Sequence, residues 1–150
     1  MTGDDILNLA GALYARELSP SEALCRNIVG RSYYGAFHLA LKFFENLGLQ
    51  ISADHKLPVH YLIESMEPNA KRAGQLLGAL HEARNRADYK LEHPKAIQES
   101  RDLQFIKAQV ELANEIKSLL NLAAAEPARS AVVAGVQAFL QRRARTPRPQ

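Results

Sequence analysis

Apolar residues recur along this chain at intervals of three and four, the spacing that lines one face of a helix. Between residues 29 and 47 they are Val29, Tyr33, Phe37, Ala40, Leu41, Phe44 and Leu47. The same period runs through Ala73, Leu76, Leu77, Leu80 and Ala87. It returns in Leu103, Ile106, Val110, Ala113, Ile116 and Leu120.

Punctuation residues divide the pattern into elements. A first helix is predicted from Asp4 or Asp5 to about Glu17. In "SPSE", Ser19 reads as an N-cap, with Pro20 at the first helical position and Glu22 at the third, a capping box. The second helix then runs to about Leu47, with Gly48 as the C′ residue. After the connector "GLQISADHKLP" comes a short helix over about 59–66, broken by Pro68 and Asn69. A further helix spans about Ala70 to Ala87, and a loop with Pro94 follows. The last core helix covers about Lys95 to Ala124, and Pro127 ends it. Residues 125–143 predict one more helix, whose Val132, Val136, Phe139 and Leu140 need a surface to pack on, such as a partner's. The proline-rich, basic residues 144–150 are expected to be a disordered tail. The expected fold is all-α, an up-and-down bundle of four main helices plus short extra helices, with the domain ending near residue 124.

Composition supports helix over sheet: Ala and Leu dominate and Val and Ile are sparse. A chain of 150 residues suits one domain with one sizeable core. Apolar runs are too short to span a membrane. The acidic start has the wrong sign for a secretory leader, so a cytoplasmic location is expected. Cys25 is alone and reads as a small buried apolar residue, and no Cys–His set with zinc spacing is present. No metal or cofactor is therefore expected.

The net charge of +3 belongs to the tail. Arg142, Arg143, Arg145 and Arg148 all fall in the last nine residues, and the rest carries fifteen basic against sixteen acidic groups. The body thus lacks a general nucleic-acid footprint, and any RNA binding must come from a local cluster.

One such cluster is "HEARNRADYKLEH", residues 81–93. At 100° per residue, Arg84 falls inside the apolar arc of its helix, Asp88 and His81 lie on the edge, and Arg86 points the opposite way. A lone buried charge costs several kcal/mol, so Arg84 needs a partner. Asp88, four residues on, is in reach. The pair reads either as the closure of a helix end or as a fork held out to phosphate. On the second helix, Arg26 also falls among apolar residues, with Tyr33 and Tyr34 following and Arg31 and His38 on a neighbouring edge. A polar seam between the two helices is expected.

"GRSYYGAFHLALKFFENLGL" followed some forty residues on by "LHEARNRADYKL" resembles the HEPN superfamily (higher eukaryotes and prokaryotes nucleotide-binding). The Arg-x-Tyr-Tyr and Phe-His pattern matches at Arg31 to His38. The Arg-Asn-Arg-Ala-Asp-Tyr signature matches at Arg84 to Tyr89, and "FIKAQVELANEIKSLL" resembles the family's closing helix. The resemblance covers about residues 20 to 122. It implies a bundle that forms homodimers, many members being metal-independent ribonucleases that act as toxins or in defence against phage. Their motif is Arg, four to six residues, then His, two copies meeting at the dimer interface. From Arg84 that window ends on Tyr89, Lys90 or Leu91. From Arg86 six residues lead to His93.

The resemblance therefore implies a candidate catalytic set of Arg84, Asn85, Arg86 and His93. Histidine would move the proton, arginine would stabilise phosphoryl charge, and RNA would be the substrate. Arg31, Tyr34, His38, Asp88 and Tyr89 are the candidate RNA- or nucleotide-binding residues. Some members pair with a nucleotidyltransferase-like antitoxin that modifies a Tyr shortly after the motif His, and here Lys95 stands two residues after His93. Two other readings stand beside the ribonuclease. One is a non-catalytic HEPN module that dimerises and binds a nucleotide, an RNA end or a partner. The other is a structural or antitoxin-like helical protein that makes contact through its basic tail.

Overall fold

A computed structural model describes residues 1–16 and 19–146, and all of its regular elements are helices. They are α1 (Gly3–Arg16), α2 (Glu22–Asn46), α3 (Leu57–Glu64), α4 (Pro68–Tyr89), α5 (Pro94–Ser100), α6 (Leu103–Ala123) and α7 (Ala128–Arg145). The α2 helix packs against α1, α4 and α6, and α4 also packs against α6. These four form the bundle, and α3, α5 and α7 cover its flanks.

Helix ends follow local chemistry, with some shifts from expectation. The α2 cap is Ser21, whose Oγ accepts from the Leu24 N–H at 3.2 Å. Ser19 and Pro20 lie outside the helix. Two serines compete for the cap, and with Ser21 in place Glu22 becomes the first helical residue. It cannot complete a capping box there and pairs with Arg26 instead (2.9 Å). Leu47 closes the helix, and Gly48 follows at φ 74°, a conformation that favours glycine. The α3 helix starts at Leu57 with Pro58 in its first turn and ends before Met66. The α4 helix starts earlier than expected, because Pro68 occupies its first turn and the Glu67 carboxylate accepts from the Ala70 N–H (2.7 Å).

The expected single helix over 95–124 is two. Asp102 caps the second by accepting from the Gln104 and Phe105 N–H groups at 3.0 and 3.2 Å, which separates α5 from α6. Leu103 stands at that new N-terminus and is exposed, while Ile106, Ala113, Ile116 and Leu120 are buried. Leu41 and Val110, expected inward, are half-buried.

The main core joins Tyr33, Phe37, Phe44, Leu62, Leu77, Ile116, Val132 and Val136. A smaller cluster holds Cys25, Ile28, Val29, Ala83, Ala87 and Ile106. Val132 and Val136 belong to α7, so the surface this helix needs is provided within the chain, by α3 and α6. Phe139 meets Tyr61 edge-on at 6.1 Å. The helix continues through Arg145, two residues into the stretch expected to be disordered, and residues 147–150 lie outside the described residues. Among the described residues, no helix is long and apolar enough to cross a membrane.

Candidate functional site

Arg26 organises one end of the seam between α2 and α4. The last carbonyls of a helix have no partner within it. Arg26, 8% exposed, reaches across from α2 and donates through Nη1 to the Ala87 carbonyl (3.0 Å) and through Nη2 to that of Leu91 (3.2 Å). Its Nε and Nη2 also hold Glu22. The arginine thus ties α2 to the end of α4, beside the Arg-Asn-Arg-Ala-Asp-Tyr stretch.

Arg84 is the centre of that stretch and is 6% exposed. Its Nε donates to Asp88 (2.8 Å), the pair expected from their spacing. Nη1 donates to the Asn85 side-chain oxygen (3.2 Å), and Nη2 donates to both the Tyr34 and Tyr89 hydroxyls. Burial works against its charge, but Tyr34, Tyr89 and Asp88 outweigh burial and hold the guanidinium pKa above its ordinary value.

The polar network continues past Arg84. Since Asn85 accepts from Arg84 through oxygen, its amide nitrogen faces His81 Nε2 at 3.3 Å. That nitrogen must accept, which puts the proton of a neutral His81 ring on Nδ1. Burial first, then His55, Arg84 and Lys56, lower the His81 pKa below the usual histidine value. The His81 ring stacks on Tyr33 (5.1 Å between centroids) and on His55 (5.6 Å). Tyr33 shares a 2.6 Å hydrogen bond with His55 Nδ1, and burial pushes its hydroxyl pKa well above that of a free phenol.

The candidate residues divide into two groups. Arg84, Asn85, Asp88, Tyr34 and Tyr89 come together. Arg31 is half-buried one turn before Tyr34 and hydrogen-bonds Asn27 (2.8 Å). Arg86, expected to point away from the core, is largely covered by α5, its side chain 20% exposed and paired with Glu99 at 2.9 Å. His93 is exposed at the N-cap of α5, and its side chain makes no hydrogen bond to the cluster. His38 is exposed and lines a separate groove of about 860 Å³ with Asp4, Lys42 and Ile51, which contains none of the Arg84 cluster. Among the described residues there is no group of three or more His, Cys, Asp or Glu placed to hold a metal ion.

Sequence reasoning placed His81 at the edge of the arc but gave it no role. Its spacing of four from Asn85 on one helix was the available signal. His55 lies in the connector, where no periodicity marks it. Set against protein-family models, curated proteins and solved structures, the chain matches none.

Proposed function

We propose that this chain is a HEPN-like helical module that, as a homodimer, binds the phosphate of a nucleotide or an RNA end without cleaving it. The observation that carries this reading is the engagement of all three Arg84 guanidinium nitrogens by side chains of the same chain. An arginine that stabilises a phosphoryl group in flight needs donors aimed at the charge that develops. Here four of its five N–H groups are already committed, three to side chains of α4 itself and one to Tyr34 of α2. The separation of His93 from Arg84, and the pairing of Arg86 with Glu99, favour binding over cleavage as well.

One observation favours the ribonuclease reading instead. Burial, with His55 and Arg84, lowers the His81 pKa beside Asn85, which favours the neutral ring that a general base requires. In that reading His81 takes the role that the motif spacing gave to His93.

The test is incubation of a mixed-sequence RNA with the full chain in EDTA, for wild type, Arg84→Ala, His81→Ala and His93→Ala. Melting curves and sedimentation run in parallel. The module reading expects a dimer that retains the RNA intact. Cleavage abolished in folded His81→Ala would make the chain a ribonuclease acting through His81. Cleavage abolished in folded His93→Ala would restore the motif pair.

A further inference from the structure

Counting hydrogens around Arg84 leaves three donors over, its second Nη1 hydrogen and two phenol O–H groups. Nη2 carries two hydrogens, and both end on tyrosine oxygens, those of Tyr34 and Tyr89. Each phenol oxygen is therefore an acceptor here, and its own O–H must point elsewhere. Neither O–H has an acceptor among the described residues. Because both oxygens bind one nitrogen, they stand within about 5 Å of each other. The guanidinium carbon lies 4.9 Å from the Tyr34 ring centre and 4.7 Å from that of Tyr89. A cation this close polarises the phenols and strengthens them as donors.

We propose that the Tyr34 and Tyr89 hydroxyls are paired donors that hold one phosphate group of a nucleotide or RNA end, with Arg84 acting through them. The inference rests on the phosphate-binding reading above and assigns its contact atoms. Tyr89 is 69% exposed and Tyr34 half-buried, so the pair is reachable while Arg84 lies behind it. Two O–H groups held this close together suit an oxyanion, which can accept from both at once at about 2.7 Å. Arg31, one turn earlier on α2, adds a positive charge with no acidic partner among the described residues. Asp88 neutralises Arg84, so the ligand is met by oriented dipoles backed by a paired cation.

The experiment is calorimetric titration of the full chain with adenosine 5′-monophosphate, with adenosine, and with a short RNA with and without a 5′-phosphate. The proteins are wild type, Tyr89→Phe and Tyr34→Phe. Phosphate-bearing ligands should bind and adenosine should not, and the preferred phosphate source identifies a nucleotide or an RNA end. Tyr89→Phe should weaken phosphate-dependent binding about tenfold or more, the worth of a hydrogen bond to a charged group. Tyr89→Phe also takes one acceptor from buried Arg84, so melting curves check that each variant is folded, and binding by folded Tyr89→Phe decides the outcome if Tyr34→Phe proves unstable. Phosphate-dependent binding that survives in Tyr89→Phe overturns the tyrosine pair and leaves the module reading standing. Absence of phosphate-dependent binding in wild type overturns both.

Discussion

Gly135→Ala tests how α7 is attached, because two effects of opposite sign act on the same methyl group. Alanine is the better helix former by about 0.8–1 kcal/mol, so in an unpacked helix the substitution stabilises. In this fold the new Cβ would fall 2.6 Å from the Ser65 carbonyl carbon and 2.7 Å from its Cα, and closer still to its oxygen. These are backbone atoms at the end of α3, and Ser65 is itself buried, so no side chain can swing aside. Restoring ordinary contact requires α7 to back away by about 1 Å. Overpacking of this kind costs about 1–3 kcal/mol. Overlap with backbone that cannot yield falls in the upper part of that range, about 2–3 kcal/mol, and subtracting the helix gain leaves a net loss of about 1–2 kcal/mol, or a Tm lowered by about 2–8 °C in a chain of this size. The ceiling is set by Val132 and Val136, both fully buried, each contributing about 1.5–3 kcal/mol if α7 detaches altogether. Urea unfolding separates the two responses. A shifted helix lowers the midpoint at constant slope, whereas a detached one also lowers the slope, since less surface is then exposed on unfolding. A variant as stable as wild type, or more so, would refute the packing of α7 against Ser65.

Three further outcomes are expected. Arg26→Met removes the donors to the Ala87 and Leu91 carbonyls while Glu22 keeps Arg101, and should cost about 2–3 kcal/mol in urea unfolding; a loss below about 0.5 kcal/mol would mean the α4 carbonyls find other donors. Ser21→Ala should cost about 1 kcal/mol and Ser19→Ala almost nothing, and the reverse order would return the cap to Ser19. The folded pKa of His81 is lowered, so the unfolded chain takes up the proton first as pH falls. Its contribution is complete above the ordinary histidine value of about 6.5 and is lost as pH drops from there through the folded value. Stability measured across that window should fall less steeply in His81→Phe than in wild type, and identical slopes would show that His81 is not responsible.

Much of the chain's local structure could be read directly from its sequence. The three-four periodicity located the main helices, Gly48 marked the end of α2, and Arg84 fell inside an apolar arc with Asp88 four residues on at its edge. Each of these is governed by helix geometry acting over a turn or two, so neighbouring residues are enough to determine it. The misread boundaries arose where two local solutions competed. Ser19 and Ser21 could each cap α2, and Asp102 could remain within a helix or cap a new one.

What only the tertiary structure decided joins residues far apart in the chain. Tyr34 meets Arg84 across fifty positions, and Arg26 reaches carbonyls more than sixty away. His55 leaves a connector to stack on His81, and α7 finds Ser65. None of these pairings follows from spacing, because each depends on which helix faces meet and how closely their backbones approach. Local periodicity says which side of a helix turns inward. The packing of those sides against one another decides whether a buried arginine serves the fold, a ligand, or both.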